Sequence, residues 1–243
     1  MLPNLLSERS EGWEVTTLGL MLSELKLSSK NCKELFRRLR MKTEGQEASA
    51  HYAIVTALHL GGADLGRDGL QGLQDFLISE TCGLASLDLS YNQFDAYSLV
   101  QALRGNASLT SLDVRFVNGM DKLYGMLRDA IAQKDTPCRV GYLRCDAFDV
   151  LEGARVLNLK EKALGSAEMR LLLSLLRHNS AVRELDLTAT DMDGEGAAAL
   201  VEAIGESRKL TSVKAAYNPA LDDAAKEALR AAAEQRAELT LEL

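Results

Sequence analysis

The 243-residue sequence predicts an α/β solenoid, a curved stack of strand–turn–helix units with a parallel sheet on the concave face and helices on the convex face. Three observations predict it. The frame Leu-x-x-Leu-x-Leu-x-x-Asn-x-Leu, with apolar substitutes allowed, recurs along the chain. Its copies lie mostly near ~28 residues apart. The segments between copies show helical periodicity.

The clearest copy is LASLDLSYNQF, with Leu84, Leu87, Leu89, Asn92 and Phe94 on the frame. It returns as VTALHLGGADL from Val55, LTSLDVRFVNG from Leu109, VRELDLTATDM from Val182 and LTSVKAAYNPA from Leu210. Weaker copies start at Leu22, Val140 and Ala154, and a partial copy, AELTLEL, ends at Leu243.

Taken in order, residues 1–21 fit no repeat and, with Trp13 among them, predict an N-terminal cap. Residues 22–243 predict a solenoid of about seven to nine repeats. The step from Val140 to Ala154 is too short for a strand, a turn and a helix, so the stretch near 117–154 is expected to be irregular. In each strand, alternation turns the frame leucines inward. In the helical segment from Ser166 to Asn179, Met169, Leu172, Leu173 and Leu176 share one face. Gly196–Ile204 and Leu221–Arg236 repeat that design with alanines that permit close helix approach. Lys42–Ala50 and Lys134–Pro137 read as inserted loops. Val117, Ala63 and Thr190 stand where the frame expects Asn, so those turns lack its amide. No single unit buries its own apolar face, but stacked units do.

The pattern resembles the ribonuclease-inhibitor-like leucine-rich-repeat family over Leu22–Leu243. The resemblance implies a non-catalytic protein-interaction or scaffold module, plausible as a subunit of a larger assembly. An alternative is a regulator of a small GTPase, because a Ran-GTPase-activating protein has a similar repeat architecture. Nucleotide-binding, leucine-rich-repeat immune receptors are also similar, but the sequence shows no P-loop. Ligands of this family are read by variable positions, so the resemblance transfers no binding residues.

Composition narrows the partners. A net charge of -7 opposes general binding to a phosphate backbone, so a protein partner and no nucleic acid is expected. Cys32, Cys82, Cys138 and Cys145 lie far apart without zinc-ligand spacing, which predicts reduced, buried thiols. The start lacks a secretory pattern and no apolar run approaches the ~18 residues of a membrane span. An intracellular, cytoplasmic protein is the expectation, with no metal and no cofactor.

Several constellations invite chemistry but have simpler readings. Asp191, Asp193, Glu195, Gly196 and Glu202 match calcium-loop spacing. Yet the segment runs straight into Ala197–Glu202, a strong helix former, so Asp193 is expected to cap a helix with Glu195 in its first turn. Gly61, Gly62, Gly66 and Gly69 fit no nucleotide loop and read as tight turns. His51, His59 and His178 lack a readable nucleophile; His59 is expected on the concave surface and His178 at a helix C-terminus, favourable there when charged. The run Glu34–Arg40 reads as a solvated helix face, with Leu35, Phe36 and Leu39 inward and Arg37, Arg38 and Arg40 outward.

The surface for binding is therefore the set of non-leucine strand positions, mainly the fifth, seventh and eighth of the frame. The candidate protein-binding residues are His59, Asp88, Tyr91, Asp113, Arg115, Phe116, Tyr142, Arg144, Lys160, Asp186, Lys214 and Tyr217. Aromatic residues make up only 5% of the chain, so their recurrence at these positions points to an interface. The terminal strand pattern Leu239–Leu243 suggests a second mode, pairing of an exposed strand edge with a partner or another copy.

Overall fold

The computed structural model describes residues 16–23, 29–44, 53–80, 82–94, 96–133, 135 and 138–243. Strands and helices alternate in the order β1 (Thr16–Met21), α1 (Ser29–Glu44), β2 (Ala53–His59), α2 (Gly66–Leu77), β3 (Ser86–Asp88), α3 (Ala96–Arg104), β4 (Ser111–Asp113) and α4 (Met120–Ala132). Three strands follow without a helix between them: β5 (Tyr142–Arg144), β6 (Asp149–Val150) and β7 (Val156–Asn158). Regularity then returns with α5 (Ser166–Leu175), β8 (Glu184–Asp186), α6 (Gly194–Glu206), β9 (Ser212–Lys214), α7 (Asp223–Glu234) and β10 (Thr240–Glu242).

The strands form two sheets rather than one. Strands β1 to β5 pair in sequence order, all parallel, and β6 turns back antiparallel on β5. Strands β7 to β10 form a second parallel ladder. The short step between the Val140 and Ala154 copies is the cause. Fourteen residues hold a hairpin but no helix, so the ladder closes on itself at β6 and restarts at β7. The helix layer ignores the interruption, since α4 packs directly on α5 and every other helix packs on its neighbour in sequence.

Curvature follows from spacing. Paired strands lie about 4.8 Å apart and packed helices about 8–10 Å apart, so a stack of such units bends with the sheet inside.

Leucine burial has the predicted sense. Leu84, Leu87, Leu89, Leu109, Leu112, Val182, Leu185, Leu187, Leu210 and Val213 are all buried against the helix layer. Each is worth roughly 1.5–3 kcal/mol once fully removed from water, which no isolated unit achieves. Met169, Leu172, Leu173 and Leu176 are buried as their spacing requires, and Leu171 and Leu175 join them because α5 is flanked by α4 and α6.

Polar side chains staple one unit to the next. Asn92 donates from Nδ2 to the Leu60 carbonyl of the preceding unit at 2.7 Å and to Leu89 and Ser90 carbonyls of its own turn. Asn218 does the same for Leu187 at 2.9 Å, Ala215 and Ala216, while its Oδ1 accepts the Thr190 and Met192 amides. The units of Ala63 and Thr190, which lack the frame Asn, are thus served by Asn92 and Asn218 of the following units, whereas the unit of Val117 is followed by Phe148 at that position. Thr190 adds its own hydroxyl, donated to the Leu187 carbonyl at 2.9 Å.

A second set of staples follows the helices. Asn106 donates to the Leu77 carbonyl and accepts the Ser108 and Leu109 amides; Asn179 donates to the Gly141 carbonyl and accepts the Ala181 and Val182 amides. In the last unit Arg236 donates to the carbonyls of Ile204, Ser207 and Leu210.

Two elements reach into the segments read as a cap and as a loop. Strand β1 pairs Leu20 with Leu58 and Met21 with His59, so the first strand lies inside the segment expected to be a cap. Within β1, Leu18 and Leu20 pair with Val55 and Leu58 of β2. Trp13 and residues 24–28 lie outside the described residues. Helix α1 runs to Glu44, into the segment expected as a loop, and residues 45–50 are not described.

Candidate functional site

The turn that ends each strand decides what the sheet face presents. The fifth frame position holds the turn: Asp88 accepts the Ser90 amide at 2.9 Å, Asp113 the Arg115 amide at 3.1 Å, Asn158 the Lys160 amide at 3.0 Å and Asp186 the Thr188 amide at 2.9 Å. One carboxylate oxygen of each of the candidate residues Asp88, Asp113 and Asp186 is thereby committed to the backbone. The eighth position then takes a left-handed conformation in unit after unit, at Gly62, Tyr91, Phe116, Glu161, Ala189 and Tyr217, with φ between 54° and 65°. For a residue with a Cβ this costs about 1–2 kcal/mol.

Three aromatic residues occupy that costly position. Tyr91 and Phe116, from adjacent units, stack with ring centroids 4.4 Å apart and planes 22° apart. They are nonetheless 62% and 56% exposed, and Tyr217 is 84% exposed. All three residues are therefore turned mainly to solvent.

Around the stacked pair lies an ionic cluster. Arg115 grips the Asp113 carboxylate through Nη2 at 2.7 Å and Nε at 3.0 Å, and Arg144 approaches the same carboxylate at 3.4 Å and Asp149 at 3.6 Å. Asp113 is itself buried. Its carboxylate is shared by the two arginines. Asp146 accepts the Phe116 amide at 2.8 Å, replacing the backbone carbonyl that the regular ladder supplies at this point. His59 lies 3.8 Å from Asp88 on the neighbouring strand.

The candidate residues thus separate into two patches. His59, Asp88, Tyr91, Asp113, Arg115, Phe116 and Arg144 gather on the first sheet. Lys160, Asp186, Lys214 and Tyr217 belong to the second. There, burial of Asp186 raises its pKa, but the Thr188 hydroxyl and amide and the Lys214 and Lys160 charges outweigh it and hold the carboxyl below its ordinary value. Tyr142 belongs to neither patch. It is half-buried against the core, and its hydroxyl meets Ser180 Oγ at 2.9 Å, joining β5 to the turn before β8.

The groups that suggested chemistry have structural employment. Asp193 caps α6, accepting the Gly196 amide at 2.8 Å on Oδ1 and the Ser166 hydroxyl at 2.6 Å on Oδ2, and Glu195 pairs with Arg170 at 2.7 Å. Gly62 and Gly66 occupy left-handed turn positions. Glu34 lies between Arg37 and Arg38, which hydrogen-bond it and pull its pKa down to about 2. Phe36 of that helix is buried, while Arg37 and Arg38 are exposed. Burial pushes the Cys138 and Cys145 thiols upward, consistent with inert core side chains.

His178 departs from expectation. Although it follows α5, burial and the nearby Arg177 and Arg139 depress its pKa below 6.5, so it is held neutral. The unfolded chain protonates first as pH falls, so stability is expected to decline below pH 6.5 and level off beneath the depressed folded value. Urea midpoints at neutral and mildly acidic pH should differ less in His178→Gln than in the wild type.

One stretch of the chain matches a known repeat family. A leucine-rich-repeat family model matches residues 178–201, from the staple Asn179 through β8 into α6. The chain carries a leucine-rich repeat at that place. Among solved structures, it is similar to the leucine-rich repeat-containing protein LegL7 from Legionella pneumophila, at 19% identity and a TM-score of 0.39, over 88% of this chain and 69% of that one. A search of curated proteins returns no match. Among the described residues, no helix is long and apolar enough to cross a membrane.

Proposed function

We propose that this protein is a protein-interaction module that holds its partner on the concave sheet face, as a scaffold or subunit of an assembly. The observation that carries the reading is the Tyr91–Phe116 stack, exposed on left-handed backbone where glycine or asparagine would be less strained. A solenoid gains nothing from exposed aromatic rings at such positions, whereas an interface gains rigid apolar area beside ordered arginines. Arg115 and Arg144 are pre-positioned by Asp113, which lowers the entropy they lose on binding. Tyr217 with Lys214 and Asp186 offers a second contact region on the other ladder.

A photo-crosslinking residue at position 116, introduced in the native host, should capture one dominant partner. With that partner purified, Tyr91→Ala and Phe116→Ala should each weaken binding about 10- to 100-fold while changing stability by less than about 1 kcal/mol. Crosslinks that survive Tyr91→Ala unchanged, or equal capture from position 97 on α3, would remove the concave face from consideration.

A further inference from the structure

The Tyr91–Phe116 stack is closed on one side and open on the other. Position eight of the frame forms a column along the sheet face, in which the Gly62 amide donates to the Ser90 carbonyl at 2.8 Å and the Tyr91 amide to the Arg115 carbonyl at 2.9 Å. Phe116 covers the face of Tyr91 turned to the following unit; on the preceding unit the column holds Gly62, which has no side chain. The second face of Tyr91 therefore looks across a partly exposed glycine, and the residue stays 62% exposed. Adjacent strands lie about 4.8 Å apart, so a flat group above Gly62 would continue the stack at nearly the spacing the two rings already have.

Position seven of that unit is glycine as well. A Cβ on Gly61 would lie 3.2 Å from Asp88 Oδ2 and 2.9 Å from Ser90 Oγ, so the Asp88 carboxylate leans back over the preceding unit, in the direction of the open face of Tyr91. Its Oδ1 accepts the Ser90 amide, while Oδ2 lies 3.8 Å from His59 Nδ1, beyond hydrogen-bonding distance. A ring face and an acceptor oxygen thus border one notch.

Charge selects the occupant. Four carboxylates, Asp88, Asp113, Asp146 and Asp149, surround the stack against the two guanidinium groups of Arg115 and Arg144, and Asp113 already engages both of these. Arg115 has its pKa raised chiefly by hydrogen bonds to Asp113, and the charges of Asp149 and Asp88 add to the effect. An anionic side chain would meet this excess of negative charge, and an uncharged ring would shield Asp88 Oδ2 from water without pairing it. A guanidinium satisfies both borders, because it stacks flat on an aromatic face and donates in its own plane to a carboxylate. We infer that the notch of Gly62, Tyr91 and Asp88 seats an arginine side chain from a basic segment of the partner, flat on the open face of Tyr91 and hydrogen-bonded to Asp88 Oδ2. This rests on the concave-face reading and adds the chemistry of the partner to it.

Titration of the full chain with N-acetyl-arginine amide, followed by amide NMR, tests the seat without any partner. Saturable shifts are expected at Gly61, Gly62, Asp88 and Tyr91, and N-acetyl-citrulline amide, uncharged but similar in shape, should produce none at the same concentrations. Tyr91→Ala should weaken the arginine probe about 2- to 30-fold, the range of a cation–aromatic contact. Asp88→Asn keeps an oxygen for the Ser90 amide and should weaken it comparably. Gly62→Asn, a residue that left-handed backbone tolerates, should fill the notch and abolish the shifts. Should that variant fail to fold, Asp88→Asn carries the test alone. The inference is overturned if citrulline shifts the same amides as strongly as arginine, if the arginine shifts fall elsewhere, or if a folded Asp88→Asn binds undiminished. A partner captured at position 116 that is weakened by Phe116→Ala but not by Asp88→Asn or Gly62→Asn would likewise overturn the arginine seat while leaving the concave-face reading in place.

Discussion

Replacing Asn218 with alanine is expected to destabilise the protein by about 3 kcal/mol, with a fall in Tm of roughly 6–12 °C. The side chain is buried, donates to three carbonyls and accepts two amides spread over two successive units. Truncation leaves those backbone groups unsatisfied where water has poor access, at roughly 1–3 kcal/mol for each group not rescued by rearrangement. The Leu187 carbonyl keeps the Thr190 hydroxyl, so it is the least affected. Because a solenoid is stabilised by nearest-neighbour contacts, the loss should appear first as fraying of β9, α7 and β10, with amide protection in β2 to β4 unchanged. Asn218→Asp should be worse than alanine, since it removes the donors and points a carboxylate at carbonyl oxygens. If the aspartate variant were as stable as the wild type, space filling rather than hydrogen bonding would explain the residue.

The same network shows which parts of the fold were legible in the sequence. Frame leucines and the asparagines at 92 and 218 were readable because the repeat places them at fixed offsets, and the structure gives them the buried positions those offsets imply. The second staple was present as a signal and went unread: Asn106 and Asn179 each stand three residues before a frame start, in LRGNASL and LRHNSAV. Strand β6 was not readable, since two residues pairing antiparallel with β5 have no periodicity to detect. Splitting of the sheet was foreshadowed only by the short step from Val140 to Ala154.

For the candidate surface, alternation located the exposed side chains but not their backbone. Nothing in the frame announces that Tyr91, Phe116 and Tyr217 are held at positive φ, because glycine appears there only at Gly62. Nor does spacing reveal that Asp113 is buried beneath its arginines, or that Tyr142 is turned to Ser180. Those outcomes depend on the neighbouring strand, and in the case of Tyr142 on a turn from another unit.

The junction itself predicts the other large effect. Gly141→Ala is expected to cost about 2–4 kcal/mol, because an added Cβ would lie 2.7 Å from both the carbonyl carbon and oxygen of His178 and 2.8 Å from the Asn179 nitrogen. All three are backbone atoms, so no side-chain rotation relieves the overlap, and no substitution at 178 or 179 should rescue it. Either β5 or the turn after α5 must move, and movement strains the Asn179–Gly141 and Tyr142–Ser180 hydrogen bonds that tie one ladder to the other. Gly125→Ala supplies the control. It lies within α4 with nothing inside 4 Å of the new methyl, and should stabilise by about 0.5–1 kcal/mol. Denaturant titration followed by hydrogen exchange should show Gly141→Ala loosening amides in β5 and in the turn at 178–182 more than those in β3 or β9. A uniform loss across both ladders would mean that the two sheets are coupled chiefly through the helix layer, by α4 against α5, rather than through this close backbone contact.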